Sequence, residues 1–112
     1  VCRIVFLRKS SDALDLLTEA KLERRFRAAT RDLGRLYAGY YLAELLHDLS
    51  DRDDPHPELF DDASQALAAL DGDGQTPAIV ARFELAILRW LGHLPQLDAC
   101  VECGGPPVPA AR

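Results

Sequence analysis

Along most of the chain the apolar residues recur every three or four positions, the spacing that lays one stripe along an α-helix. From residue 11 the rhythm runs through Leu22, Phe26, Ala29, Leu33, Leu36, Tyr37 and Tyr40. Past Gly39 its phase changes: Leu42, Leu45, Leu46 and Leu49 fall on the opposite side, while Glu44, His47 and Asp48 take the formerly apolar one. A straight helix with one buried face cannot satisfy both halves, so the pattern predicts a kink or break at positions 34–39, or a second half wedged between partners. A second helix follows DRDDPHPELF, where Pro55 and Pro57 suit a helix start and exclude a helix interior. Its apolar positions are Leu59, Phe60, Ala63, Leu67 and Leu70, and DGDG at 71–74 stops it. Thr76 as N-cap and Pro77 as first residue open a third helix. Its expected buried face is Val80, Phe83, Ile87, Trp90 and Leu91, and Gly92 ends it. Residues 1–8 depart from this rhythm: Ile4, Val5 and Phe6, bounded by basic residues and then serines, read as a strand. It would be the only strand, and no methionine precedes it, so it reads as a remnant of a sheet in a longer protein. The expected fold class is mainly α, a compact helical bundle with one N-terminal strand.

Composition narrows the setting. A chain of 112 residues with 48% hydrophobic and 28% charged residues is an ordinary globular domain. No apolar run approaches the roughly 20 residues of a membrane span, and the start lacks a signal-peptide cleavage site. Three unevenly placed cysteines do not make a secreted disulfide framework, so a reducing cytoplasm is expected. The net charge of −5 hides an asymmetry: residues 1–50 carry nine Lys/Arg against seven Asp/Glu, residues 51–112 four against eleven. Any surface for a polyanion must therefore be local.

Three constellations carry candidate chemistry. Lys21, Arg24, Arg27, Arg31 and Arg35 gather opposite the first apolar stripe, where they form a solvated face or neutralise phosphates. The tyrosines at 37, 40 and 41 cluster past that stripe, so stacking with bases is not expected. Glu84 falls among Val80, Ile87, Leu88 and Leu91, where a buried carboxylate needs a partner. With no second acid, histidine or nucleophile placed beside it, Glu84 reads as half of a structural ion pair with an arginine, and Glu44 and Arg82 are read as ion-pair residues too. Cys100 and Cys103 form Cys-x-x-Cys-Gly, open to three readings: half of a zinc knuckle, a disused site, or a redox pair. The Gly-Gly-Pro-Pro that follows cannot open the helix a redox pair needs, which favours the knuckle. Its other two ligands are expected beyond residue 112. Cys2 has nothing to place it nearby, and His93 reads as a surface histidine. No phosphate-binding glycine loop, metalloprotease motif or nucleophile elbow is present, so enzyme chemistry has no foothold.

In order, RFRAATRDLGRLYAGYYLAELLHDLSDRDDPHPELFDDASQALAAL and ARFELAILRWLGHLPQLDACVECGGPP resemble the RecO family of bacterial recombination and repair proteins. The carrying pieces are Tyr41-Leu-Ala-Glu44-Leu45, then Asp54-Pro-His-Pro-Glu-Leu59-Phe60, then Arg82-Phe-Glu leading through Leu-Gly and Pro-x-Leu to Cys100 and Cys103. The resemblance implies an OB-fold followed by a helical domain that in many bacteria carries a zinc knuckle. It divides the chain into residues 1–8, the last strand of a truncated OB-like domain, residues 9–97, the helical domain, and residues 98–112, the first half of a zinc-knuckle-like segment with a mobile tail. It also implies a non-enzymatic mediator that binds single- and double-stranded DNA and anneals strands coated with single-stranded-DNA-binding protein. Such a mediator helps load RecA together with RecR. On that reading the basic stripe serves DNA or the acidic C-terminal tail of single-stranded-DNA-binding protein, which docks where a basic residue borders an apolar pocket. The alternative is a helical protein-interaction module that never touches DNA.

Overall fold

Two antiparallel strands precede the helices. In the computed structural model, which describes residues 1–10, 13–51 and 54–106, strand β1 (Cys2–Leu7) pairs antiparallel with β2 (Leu16–Leu22). The register runs from Cys2 opposite Leu22 to Leu7 opposite Leu16, with an irregularity between Val5 and Phe6. The first strand therefore has a partner, and that partner is made of residues assigned above to a helix. Within it Thr18, Ala20 and Leu22 alternate with Glu19 and Lys21, a period of two that the helical count had absorbed. The Thr18 hydroxyl donates to the Val5 carbonyl at 3.0 Å, and Lys9 N–H donates to Asp15 Oδ1 at 3.0 Å across the turn. Both strands are exposed throughout, including Ile4, Phe6, Leu17 and Leu22.

After these strands, one turn of 3₁₀-helix, η1 (Ala28–Thr30), leads into α1 (Leu33–Leu49). The helix starts at residue 33 because Asp32, in extended backbone, accepts the Arg35 N–H at 3.1 Å and so caps it. The basic and apolar stripes drawn from residue 11 therefore do not lie on one helix. Nor does α1 break at positions 34–39; it passes through both glycines. The two phases coexist because the bundle packs against Ala38, Gly39 and Leu42, while Leu33, Tyr37 and Tyr40 face solvent at 62–64% exposure. Gly39 is where the Phe26 ring lies against the helix: a Cβ there would sit 2.8 Å from Phe26 Cε1.

Helix α2 spans Pro57–Asp71 and α3 spans Thr76–Trp90. Gln75, in extended backbone, takes the N-cap position, so Thr76 is the first helical residue and Pro77 the second, one step on from expectation. The far end of α3 closes as the glycine implied. Gly92 has φ 74°, its N–H donates to the Arg89 carbonyl at 3.1 Å, and His93 N–H donates to the Leu88 carbonyl at 2.8 Å. Residues 107–112, where the mobile tail was expected, lie outside the described residues.

The core sits where the three helices meet: Ala38 and Leu42 from α1, Leu59, Ala63, Ala66 and Leu70 from α2, Phe83 and Ile87 from α3. Phe60 and Trp90, both expected inside, are on the surface at 59% and 39% exposure. Trp90 sits there with its indole N–H donating to Asp62 Oδ2 at 2.7 Å. The architecture is mainly helical, as expected. Its radius of gyration of 18.2 Å exceeds the roughly 13 Å of a globular chain this long, because the paired strands extend from the bundle.

Candidate functional site

The five cations of the expected stripe are dispersed over four kinds of local structure. Lys21 lies in β2, with Nζ 3.9 Å from Glu23 Oε1, a carboxylate also approached by Arg3 Nε at 3.2 Å. Arg24 reaches across to α2, donating to the Ser64 carbonyl at 2.6 Å. Arg35 is occupied further still: its guanidinium donates to the carbonyls of Leu70 at 2.7 Å, Gly72 at 2.6 Å and Gly74 at 2.9 Å. It thus satisfies carbonyls at the end of α2 and the following turn that have no helical partner. Asp71 Oδ1 accepts the Ala28 N–H at 2.7 Å and closes the same joint from the other side. Arg24 therefore holds the segment before α1, and Arg35 the first turn of α1, against the end of α2 and the turn after it. Arg27 and Arg31 flank η1, are exposed, and have no partner among the described residues.

Glu84 is half-buried, and its partner is a tyrosine in place of the arginine expected: the Tyr41 hydroxyl donates to Glu84 Oε1 at 2.7 Å. That hydrogen bond, then partial desolvation, then the Glu84 and Glu44 charges push the Tyr41 phenol above its ordinary pKa. Glu44 and Arg82 are exposed and form no ion pair among the described residues.

Arg82 instead borders an apolar groove between α2 and α3. A pocket of 220 Å³ is floored by Ala66, Phe83 and Ala86 and edged by Asp62 and Arg82. A shallower pocket continues it past Arg82 to Arg89, Trp90 and Leu94. Arg82 and Arg89 are seven residues apart, about 10 Å along one side of α3. Asp62 is already engaged by the Trp90 indole. The arrangement suits a ligand that brings an apolar group to the floor and an anionic one to the rim. Sequence reading missed it because only the packing of α2 on α3 makes the groove. The available signal was the seven-residue repeat of arginines on the polar side of α3.

Cys100 and Cys103 lie in a tight turn: Gly104 N–H donates to the Cys100 carbonyl at 2.8 Å, and Cys100 N–H donates to the Gly105 carbonyl at 2.8 Å. Gly104, at φ 69°, makes that turn possible. The backbone amide of Cys103, then that of Glu102, then the Cys103 side chain hydrogen-bond to the Cys100 sulfur and hold its pKa below the ordinary thiol value. Amides turned toward a thiolate fit half of a structural zinc site. The thiols are free, and the turn containing them does not open a helix among the described residues, as a redox pair would require. Among those residues, no group of three or more His, Cys, Asp or Glu is placed to hold a metal ion. Likewise, none of their helices is long and apolar enough to cross a membrane.

Comparison with known proteins adds the family. The family described as recombination protein O C terminal matches residues 30–111, which take in all three helices and the Cys100–Cys103 turn. DNA repair protein RecO of Rhodopirellula baltica is 51% identical over 93% of this chain and 38% of its own length. The protein of that name from Anaeromyxobacter dehalogenans is 43% identical over 88% of this chain and 39% of its own. That of Myxococcus xanthus is 37% identical over 73% of this chain and 34% of its own. The chain thus spans roughly two fifths of the length of the first two relatives. The match to that family over residues 30–111, with 51% identity to one such protein over 93% of the chain, makes this chain a member of the RecO family.

Proposed function

We propose that this chain is the helical part of a non-enzymatic mediator of recombinational DNA repair. The mediator brings single strands coated with single-stranded-DNA-binding protein to annealing and to RecA loading, together with RecR. The carrying observation is its 51% identity, across 93% of the chain, to a protein named DNA repair protein RecO. The α2–α3 groove supports the reading. An acidic tail has the charge that Arg82 and Arg89 complement, and the Ala66–Phe83–Ala86 floor is the apolar pocket that these basic residues border. Anchoring that tail brings the mediator to coated strands without competing for the bases. Cations on the mediator then screen phosphate repulsion while base pairing supplies specificity. Zinc, held by Cys100 and Cys103 with two ligands from elsewhere in the full-length protein, would fix the turn after α3 and supply no chemistry beyond that.

The test uses the full-length protein. A labelled peptide with the tail's sequence should bind it, and Arg82→Glu/Arg89→Glu should weaken binding tenfold or more, the scale of losing charge-assisted contacts. Annealing of coated complementary strands should require the tail and should weaken as salt rises. A folded protein that binds the peptide but anneals nothing would favour the plain interaction module. One that does neither would refute the mediator reading.

A further inference from the structure

Helices α2 and α3 form the groove, and one hydrogen bond ties them beside its floor: the Trp90 indole N–H on α3 donates to Asp62 Oδ2 on α2 at 2.7 Å. Asp62 is half-buried and, among the described residues, is the one acid in the groove's lining. It lines the deeper pocket with Arg82 and the shallower one with Arg82, Arg89 and Trp90. A carboxylate so placed is the natural partner of either arginine, since a charge-assisted hydrogen bond is roughly twice as strong as a neutral one. Yet neither Arg82 nor Arg89 forms an ion pair among the described residues. Burial does not explain where the indole sits, because Trp90 is 39% exposed and outside the core.

We propose that Trp90 is a positioning residue of the groove: its indole N–H holds Asp62 off Arg82 and Arg89, and so keeps both guanidinium groups open to an anionic ligand. The chemistry of the donor is what matters. An indole N–H donates one hydrogen bond and carries no charge, so it fixes the carboxylate without drawing either arginine into the bond. Without it, Asp62 turns to an arginine, and the groove carries its own competitor for the carboxylates of the ligand. The bond also crosses between the two helices that make the groove, so the rim is held by the same contact that keeps it open. The charge that stays on Asp62 still repels an anion. It therefore limits how tightly the arginines alone hold an acidic ligand that brings nothing to the Ala66–Phe83–Ala86 floor.

This inference rests on the tail reading of the groove and names what keeps that site open. The experiment measures binding of the labelled tail peptide to four full-length proteins: unmutated, Trp90→Phe, Asp62→Asn and the double variant. Trp90→Phe keeps a ring and removes the N–H. It should weaken binding about three- to fivefold, the scale of one surface ion pair made by the released Asp62. Asp62→Asn should tighten binding about two- to threefold, because a like charge leaves the rim. The double variant should bind as tightly as Asp62→Asn alone, since no carboxylate remains to be released. A loss of the same factor in both backgrounds would overturn the proposal, because Trp90 would then act through its ring or through the fold. Should Trp90→Phe fail to fold in urea titration, weaker or unchanged binding by Asp62→Asn would overturn it alone. Exchange of the Arg82 and Arg89 Nε protons, followed by NMR without peptide, should slow in Trp90→Phe and not in the double variant; unchanged exchange would count against the indole's role. Failure of all four proteins to bind the peptide would refute the tail reading, and these protons would still decide whether the indole keeps the arginines free.

Discussion

Arg35→Ala in the full-length protein separates a structural arginine from a DNA-contacting one. The guanidinium makes three charge-assisted hydrogen bonds, to the carbonyls of Leu70, Gly72 and Gly74, and its side chain is 19% exposed. Hydrogen bonds from a charged group contribute about 1.5–3 kcal/mol each. The carbonyls of Gly72 and Gly74 lie in exposed surroundings and regain water when the side chain is removed, whereas that of Leu70 is part-buried. Counting the Leu70 bond in full and the other two in small part gives a loss of about 2–4 kcal/mol. The contact with Asp32, at 3.6 Å, adds little because surface pairs contribute roughly 0–1 kcal/mol. Urea unfolding measures the loss, and amide exchange over residues 66–74 localises it to the end of α2. Arg35→Lys should recover less than half, since one ammonium cannot span three carbonyls. If Arg35→Ala changed stability by under about 0.5 kcal/mol yet weakened oligonucleotide binding, the structural assignment would be refuted and the arginine returned to the phosphate-binding set.

Three further outcomes are expected. Gly39→Ala should destabilise by about 1–2 kcal/mol despite alanine's better helix propensity, because its Cβ would meet the Phe26 ring at 2.8 Å; pairing it with Phe26→Leu should restore part of the loss in thermal unfolding. The Tyr41–Glu84 bond raises the folded-state pKa of the phenol, so its stabilisation is complete below the unfolded tyrosine pKa near 10 and disappears as pH rises through the raised value. Absorbance titration at about 295 nm should therefore show the Tyr41 midpoint falling in Glu84→Gln, and an unmoved midpoint would remove Glu84 as the cause. Full-length protein should carry about one zinc ion per chain, and Cys100→Ser should lower that stoichiometry in elemental analysis; equal zinc in both proteins would exclude Cys100 as a ligand.

Much of the helical bundle was legible because each of its last two helices carries its own punctuation. Pro57 and Pro77 open α2 and α3, Gly92 closes α3, and the spacing of Leu59, Ala63 and Leu70, or of Phe83 and Ile87, names the face that is buried. Over Leu16–Leu22 the helical reading failed because that stretch satisfies two periods at once, and only pairing with Cys2–Leu7 selects the strand. The basic stripe was lost with that helix. Its members differ in role according to what lies opposite them, which spacing along one chain does not encode.

Local sequence determined what local forces decide: the turn at Cys100–Gly104, the glycine cap of α3, the mainly helical class, and a set of motifs sufficient to suggest the family. Tertiary structure decided what depends on residues distant in sequence. It engaged Arg35 with carbonyls about 35–39 positions away, gave Glu84 a tyrosine 43 positions back, and formed the Arg82 groove from the packing of two helices. It also turned Tyr37 and Tyr40 outward, because the close approach of Phe26 to Gly39 fixes which side of α1 meets the bundle. Caps and turns are settled by hydrogen bonds within a few residues, so they can be read along the chain. The partners of a charge or an aromatic ring are settled by which surfaces exclude water, and that is a property of the folded whole.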